Sequence, residues 1–445
     1  MKFSRSLVAL TAGWLALAPA VSAAAAPSLI RDAEIESYIH DYAAPIFEAA
    51  GIDPAQVHIY IVNDPRINAF VAGGMNLFLH TGLLMRAQTA NQVIGVIAHE
   101  TGHIAGGHLV RSKDVQRAAS IEAIIAMVLG IGVGIATGGN AGGAVAAGPA
   151  LAMTQMLAYT RTQEMSADAA GMKFLDETGQ SARGMLEMFD MLQRDAVLTG
   201  LGGNPFLQTH PLTQDRIQTV EQFIAKSPNS NKPEPAQIEE DQRRIRAKLM
   251  GFLQPLSDVM KAYPESDTSF AARYARAIAW YRAADLKKAV PAIDQLIAEE
   301  PVNPYLEELK GQMLFENGRA ADSIVPYRKA VELKPDAALL RIGLAQSLIE
   351  TNDPAANKEA IKELEAASAV EPRNMQAWRL LAVAYGRDNQ IPMASLAMAE
   401  LALLKGDKKQ AKEQAQRAAD TLPPGSPGQL RAEDILFQAE RDDND

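Results

Sequence analysis

Apolar residues recur every three to four positions through several stretches of this chain, and that period is typical of amphipathic helices. In the first half of the sequence these stretches are 30–50, 91–111, 158–175, 182–196 and 213–226. Each is long enough to bury one face against a shared core. The pattern therefore predicts a mainly helical domain over this part of the chain.

Between the first two predicted helices, the pattern changes to runs rich in β-branched and aromatic residues. Residues 57–62 read Val-His-Ile-Tyr-Ile-Val and are followed by Asn63-Asp64-Pro65, which is typical of a strand that stops at a turn. Residues 68–72 and 76–80 flank Gly73-Gly74, so they are predicted to form a hairpin or two short strands. A small sheet beside helices predicts an α+β domain.

The C-terminal part of the sequence repeats itself after a polar, proline-rich stretch at 227–235, which is predicted to be a linker. A small residue stands twelve positions before a proline four times, at Ala289/Pro301, Ser323/Pro335, Ala360/Pro372 and Ala411/Pro423. This spacing favours tetratricopeptide repeats over a generic helical bundle. The interval from Pro372 to Pro423 is too long for one repeat and predicts an extra helix or a degenerate unit. Such a stack has a concave surface suited to protein partners.

The N-terminus has the layout of a secretory signal peptide. Lys2 and Arg5 precede the apolar residues 7–21, and Val21-Ser22-Ala23 supplies small residues for cleavage. A signal peptide over 1–26 is predicted, with cleavage after Ala23 or, alternatively, after Ala25 or Ala26. A membrane anchor is the other interpretation, but the apolar run is short for a membrane span.

A second uncharged stretch covers residues 123–160, and its part from 130 to 148 is rich in glycine. The glycines interrupt the apolar run, which favours a flexible lid or a contact surface over a core helix or a membrane span. Peripheral membrane contact through residues 123–150 is therefore one expectation.

Composition narrows the class of protein further. The 445 residues carry a formal net charge of -10, and an acidic chain lacks the cationic surface that nucleic-acid binding requires. The absence of cysteine excludes disulfides and zinc–thiolate sites, and it is compatible with a bacterial periplasm. The predicted organisation is a signal peptide over 1–26, a first domain over 27–226, a linker and connecting helix over 227–265, and a repeat domain over 266–445.

The first candidate catalytic motif in the sequence is His99-Glu100-Thr101-Gly102-His103. Two histidines four apart on a helix share one face and can bind one zinc ion, and the glutamate between them can take a proton from a metal-bound water. The spacing therefore predicts a zinc site with His99 and His103 as ligands and Glu100 as the catalytic base. His108 is one residue too close to His103 to extend the motif, so it is interpreted as lying outside the ligand set.

Glu164 and Asp168 are the candidates that complete this site. They are four residues apart on a predicted helix, and two buried acids need a cation or a donor nearby. Glu164 is predicted to be the third zinc ligand, and Asp168 is predicted to hold the free N–H of His99 or His103. A solvated acidic helix face is the alternative.

His210, in Thr209-His210-Pro211, has three open interpretations. It can stabilise an oxyanion as part of the catalytic machinery, or it can occupy the open coordination position of the metal and keep an enzyme inactive. A plain loop histidine is the third.

This ordered set of motifs resembles the bacterial β-barrel assembly-enhancing proteases, which are related to the CAAX prenyl protease and the heat-shock membrane protease HtpX. The resemblance covers nearly the whole chain and includes Gly82-Leu83-Leu84 as well as the segments around Glu164 and His210. It implies a gluzincin-type zinc metalloendopeptidase domain with a small sheet, followed by an α-solenoid of tetratricopeptide repeats. It also implies that Asn68, Ala69 and Phe70 lie near an edge strand that aligns substrate.

The resemblance further implies a periplasmic location, one zinc ion per chain, and two possible roles. The first is an endopeptidase that degrades misfolded or stalled outer-membrane proteins and assists their assembly, with the repeats binding the outer-membrane assembly machinery. The alternative is a chaperone or adaptor with latent proteolysis. A membrane-embedded prenyl-protein protease is disfavoured by the signal peptide and by the lack of several clean spans.

Overall fold

The computed structural model describes residues 28–108, 159–199 and 204–441. The fold is α+β and predominantly helical, as predicted. The first part has a sheet of strands β1 (Leu29–Ile30), β2 (His58–Val62), β3 (Ala69–Ala72) and β4 (Asn76–His80). Its helices are α1 (Ala33–Ala49), α2 (Thr81–Arg86), α3 (Ala90–Ala105), α4 (Arg161–Glu177), α5 (Arg183–Thr199), α6 (Pro205–Thr209) and α7 (Gln214–Ile224).

The remaining helices belong to the C-terminal half. They are α8 (Ala236–Leu253), α9 (Leu256–Ala262), α10 (Phe270–Arg282), α11 (Leu286–Glu299), α12 (Pro304–Glu316), α13 (Ala320–Leu333), α14 (Ala338–Glu350), α15 (Pro354–Val370), α16 (Met375–Arg387), α17 (Ile391–Leu404), α18 (Lys408–Thr421) and α19 (Pro427–Arg441). Three helices lie between Pro372 and Pro423, which accounts for the long interval between these prolines.

The four strands form one sheet in the order β1-β2-β4-β3. The predicted hairpin is β3 and β4, whose antiparallel register pairs Phe70 with Phe78. β2 runs parallel to β4, and β1 adds antiparallel to β2 through Ile30 and Ile61. The pattern placed Ile30 in the first helix; it instead pairs in β1, because Asp32 caps α1 and the helix begins at Ala33.

Helix α3 is the centre of the first core. Fourteen of its residues are buried, and apolar side chains from the sheet, α1, α4 and α5 surround it. Helix α4 lies unusually close to it: a Cβ on Gly102 would stand 2.5 Å from the Ala167 carbonyl oxygen, and one on Gly171 would stand 3.0 Å from that of Ala98. Glycine at both positions therefore permits the approach that brings the two helices together.

The segment 227–235 and the helix after it are packed, although the segment has the composition of a free linker. Ser230 is buried, and its carbonyl oxygen accepts hydrogen bonds from Ser181 and Arg183. Ile245 and Leu249 of α8 belong to the same core as α3. Because α8 also packs against α10, it joins the first part of the chain to the repeats.

Two predictions fall outside the described residues: the signal peptide over 1–26, and the lid or membrane-contact surface over 123–150. Among the helices of the described residues, none combines the length and the apolar character needed to cross a membrane.

Candidate metal centre

Helix α3 buries all three residues of the His-Glu-His motif. The exposed fractions are 3% for His99 and 0% for both Glu100 and His103. Almost every residue of α3 is buried among apolar neighbours, so the motif is enclosed together with the helix. Polar side chains with this burial need partners, and those of the two histidines come from α4 and from His210, directly after α6.

Four residues bring nitrogen and oxygen atoms together beside α3. The Nε2 atoms of His99 and His103 are 3.1 Å apart, and the nearest oxygens of Glu164 lie 3.5 Å from the first and 3.3 Å from the second. His210 Nδ1 is 3.3 Å from His99 Nε2 and 3.0 Å from Glu164 Oε1. Four donors bound to one ion at 2.0–2.1 Å lie about 3.3 Å from each other in a tetrahedron. The donor set therefore has the size and the chemistry of a zinc site.

Asp168 orients one of the two α3 histidines. Its Oδ1 lies 2.8 Å from His99 Nδ1, which leaves His99 Nε2 to face the other donors. Burial lowers the pKa of His99, but the hydrogen bond to Asp168 and the negative charges of Glu164 and Asp168 together outweigh it, so the net pKa lies above the ordinary value. Among the described residues no carboxylate binds the other nitrogen of His103, and burial lowers its pKa to about 2. A neutral imidazole is the form that binds a metal.

Arg216 of α7 is a residue that sequence reasoning missed. It is 2% exposed, and its guanidinium contacts Asp168 through Nε at 2.6 Å and Glu164 Oε2 through NH1 at 2.5 Å. The same NH1 donates to the Pro211 carbonyl oxygen at 3.0 Å. One signal was available: Arg216 stands four residues before the buried Val220, on the apolar face of an amphipathic helix. Arg216 thus joins two acids of the site to the loop that follows His210.

Glu100 is buried without a hydrogen bond to either carboxylate oxygen from the described residues. His210 Nε2 lies 3.5 Å from its Oε1. Burial raises the pKa of Glu100 above its ordinary value. Two unpaired buried oxygens are costly, so this arrangement is typical of a functional site rather than of a stabilising contact. Burial also acts to raise the pKa of Glu164, but the imidazoles of His210 and His103 hold that pKa below the ordinary value.

Aromatic rings fix the orientation of two histidines. The His210 ring stacks on Phe206, one turn earlier in the chain, with centroids 4.4 Å apart. The His103 ring stacks on Tyr159 at 3.8 Å, and the backbone N–H of Tyr159 donates to the Thr209 carbonyl oxygen at 3.0 Å. Tyr159 was also missed, because a single tyrosine before a helix has no distinctive pattern.

The other predicted residues lie outside the donor set. His108 Nδ1 is 3.2 Å from His103 Nδ1, on the side of the ring opposite Nε2. Asn68 immediately precedes β3, Ala69 and Phe70 begin it, and all three are buried. The Asn68 amide lies 3.4 Å from His80 Nε2. Their role in substrate binding stays a prediction.

Comparison with known proteins defines the class. Residues 30–224 match the family model described as Peptidase family M48, and residues 274–338 match a Tetratricopeptide repeat model. The chain therefore contains a Peptidase family M48 domain followed by tetratricopeptide repeats, and it is a metalloendopeptidase.

Among individual proteins, the chain is similar to the beta-barrel assembly-enhancing protease of Yersinia pestis. The two are 26% identical over 430 residues, which cover 94% of this chain and 86% of that protein. The protein of the same name from Escherichia coli (strain K12) is 26% identical over 413 residues, covering 91% of this chain and 82% of its own length. Metalloprotease YcaL of Escherichia coli (strain K12) is 28% identical over 179 residues, 39% of this chain and 63% of that protein.

Proposed function

We propose that this chain is a zinc-dependent endopeptidase of the cell envelope that degrades misfolded or stalled outer-membrane proteins and assists their assembly. The observation that carries the proposal is the buried donor set of His99, His103 and Glu164 beside Glu100, whose carboxylate receives no hydrogen bond from any described residue. The names of the relatives that match over nearly the whole chain support the outer-membrane role.

In this proposal His99, His103 and Glu164 hold one zinc ion, and Asp168 orients His99. Zinc bound there supplies a Lewis acid that lowers the pKa of a coordinated water. An oxygen of Glu100 takes the proton of the attacking water and returns it to the amine of the leaving peptide. Burial raises the pKa of Glu100, which makes its carboxylate a stronger proton acceptor than an exposed one.

We assign His210 the role of a gate rather than of an oxyanion donor. Its Nδ1 stands at hydrogen-bond distance from two of the metal donors, which is where a fourth ligand belongs. A catalytic zinc site needs that position for water or substrate. His210 must then leave before cleavage, so only the fraction of molecules in which it has left the metal is active.

Substrate is proposed to add as a strand to β3. In the described residues β3 pairs only with β4, so it is an edge strand, and proteases of many folds bind extended chains along such an edge. Asn68, Ala69 and Phe70 then contribute the start of this edge, close to α3.

The proposed organisation keeps the limits 27–226 for the protease domain, 227–265 for the linker and connecting helix, and 266–445 for the repeats. The N-terminal pattern supports export to the periplasm. The repeats are proposed to bind the outer-membrane assembly machinery, and residues 123–150 are proposed to contact the membrane peripherally. Exposed apolar side chains on the repeat helices, such as Val325 at 69% and Ile391 at 56%, support a protein-binding surface.

A chaperone or adaptor with latent proteolysis is the second candidate. The position of His210 favours it, because a zinc site with four protein donors does not cleave. The two candidates differ in whether a client or partner opens the gate.

The test uses the purified mature chain and Glu100→Gln with an unfolded substrate, β-casein. Cleavage is expected to need zinc and to fall by at least about a hundredfold in Glu100→Gln, because general-base catalysis contributes that much. Zinc content, measured by atomic absorption, is expected to stay at one per chain. Absence of bound zinc in the unmodified chain would contradict the proposal.

A further inference from the structure

The proposed gate His210 is the residue that ends the short helix α6, and this helix is anchored at both ends. At its C-terminal end, Tyr159 binds the Thr209 carbonyl oxygen and Arg216 binds that of Pro211. At its N-terminal end stands Asn204, which is fully buried. A helix of only five residues moves as one rigid body, so contacts at Asn204 affect where the His210 ring lies.

Asn204 makes two hydrogen bonds with different functions. Its side-chain oxygen accepts from the Leu207 backbone N–H at 3.2 Å and caps α6. Its side-chain amide donates to Asp195 Oδ2 of α5 at 2.7 Å. The first bond stabilises the helix itself, whereas the second attaches the helix to the body of the protease domain.

Asp195 connects this attachment to the sheet. The carboxylate is 7% exposed, and Arg86 binds its other oxygen. Arg86 is the last residue of α2, which begins directly after β4. The contacts Arg86–Asp195–Asn204 therefore lead from the strand that pairs with the edge strand β3 to the helix that carries His210.

We propose that Asp195 and Asn204 are positioning residues that hold α6 so that His210 stays among the metal donors. The proposal rests on the gate assigned to His210 above. Breaking the Asp195–Asn204 bond frees the start of α6 and shifts the population toward the state in which His210 has left the metal. Neither residue touches the reacting atoms; both act through the position of one imidazole.

The variant Asn204→Asp separates the two bonds of Asn204. Aspartate caps helices as well as asparagine does, so α6 keeps its cap. The new carboxylate faces that of Asp195, however, and repulsion replaces the hydrogen bond. The double variant Asn204→Asp with Asp195→Asn exchanges donor and acceptor and restores a hydrogen bond between the two positions.

A matched control exists in the repeats. Asn374 also caps a helix, α16, through its side-chain oxygen, and its amide also donates to a carboxylate, Glu371 Oε2, at 2.9 Å. Asn374→Asp therefore introduces the same chemical change far from the metal donors. It is expected to leave cleavage unchanged.

The experiment measures β-casein cleavage by the zinc-loaded chain and the visible absorption of the cobalt-loaded chain, which depends on the type, number and geometry of the ligands around the ion. His210→Ala is expected to raise cleavage and to change the spectrum. Asn204→Asp is expected to raise cleavage roughly tenfold, the equivalent of one hydrogen bond to a charged group, and to move the spectrum toward that of His210→Ala. The double variant Asn204→Asp with Asp195→Asn, here called the exchange variant, is expected to return the cleavage rate and the spectrum most of the way to those of the unmodified chain. In the His210→Ala background, Asn204→Asp is expected to change neither the cleavage rate nor the spectrum.

The outcomes distinguish the two proposals. If His210→Ala lowers cleavage or leaves both readouts unchanged, His210 does not gate the metal, and the positioning role of Asp195 and Asn204 is overturned as well. If His210→Ala activates but Asn204→Asp does not, or if the exchange variant recovers nothing, only the role of Asp195 and Asn204 is overturned. Equal activation by Asn374→Asp would also overturn it.

Discussion

Arg216 is the side chain on which the electrostatic balance of the metal centre depends. Its guanidinium is the positive partner of Asp168 and of Glu164. It also stacks over Phe189, with its central carbon 5.0 Å from the ring centroid. A buried cation that pairs with two acids cannot be removed without leaving those acids uncompensated.

Arg216→Met is expected to lower the free energy of unfolding of the metal-free chain by about 3–5 kcal/mol, because two buried carboxylates lose their partner. Added zinc is expected to recover part of the loss, since a divalent cation beside Glu164 replaces the missing charge. Urea unfolding with and without zinc measures both effects. Arg216→Lys is the control for charge alone; full recovery by lysine would show that the bidentate geometry does not matter.

Because of His80, we expect the free energy of unfolding to depend on pH. Burial lowers the pKa of His80 to about 4, compared with an ordinary value of 6.5. Between these two pH values the unfolded chain therefore binds a proton at His80, whereas the folded chain does not. The contribution of neutral His80 to the free energy of unfolding is therefore complete above pH 6.5 and is lost as the pH falls from there toward 4. The expected loss from this residue is about 2–3 kcal/mol at pH 4.5.

His80→Gln tests this, because the glutamine amide can offer an oxygen near the position of Nε2 and does not titrate. The difference in free energy of unfolding between pH 7 and pH 4.5, from urea melts, is expected to be smaller in the variant by that amount. An identical difference in both proteins would mean that His80 is not buried as a neutral ring.

At the scale of elements, the metal centre depends on the contact between α3 and α4. His99 and His103 come from one helix, and Glu164 and Asp168 come from the other. Gly102 lies inside the His-Glu-His motif, and its missing side chain is what allows the Ala167 backbone to approach. The glycine between the histidines thus determines how far the third donor lies from the first two.

Gly102→Ala is expected to push α4 away from α3 and to weaken zinc binding by at least tenfold, together with a loss of stability of about 1–3 kcal/mol from overpacking. Competition with a chelator measures the affinity. Gly386→Ala in α16 is the control, because a Cβ there meets open space and alanine favours a helix by up to about 1 kcal/mol. Unchanged zinc affinity in Gly102→Ala would contradict the role assigned to this contact.

At the scale of the whole molecule, α1 and α8 connect the protease domain to the repeats. Lys248 of α8 is 2% exposed and binds Asp32 at 2.8 Å and Glu34 at 3.0 Å, both at the start of α1. Tyr274 of the first repeat helix, α10, donates to the same Glu34 oxygen at 2.7 Å. Further along, Arg31 pairs with Glu371 at 2.9 Å. The two domains therefore share a buried, hydrogen-bonded charge cluster and are expected to unfold together.

Lys248→Met is expected to cost about 3–5 kcal/mol and to separate the unfolding of the two domains, because Asp32 and Glu34 lose their buried cation. Differential scanning calorimetry is expected to show one transition in the unmodified chain and two in the variant. Lys310→Met is the control: its pair with Asp294 is partly exposed, so it is expected to contribute less than about 1 kcal/mol. A single unshifted transition in Lys248→Met would refute the coupling.

The sequence alone determined the features that depend on local geometry. The hairpin at Gly73-Gly74, the main helices and the proline-spaced repeats follow from patterns within one or two elements. Helical spacing also places His99 beside His103 before any tertiary contact forms. The predicted fold class is confirmed for these reasons.

Only the tertiary structure decided which distant side chains meet. Arg216 between Glu164 and Asp168, the His210 ring among the metal donors, and Lys248 beneath α1 are contacts between residues far apart in the chain. The start of α1 and the packed segment 227–235 likewise depend on neighbours supplied by other elements. Local periodicity shows that a face is apolar but does not show which charged groups the folded chain buries opposite it, because that depends on long-range packing.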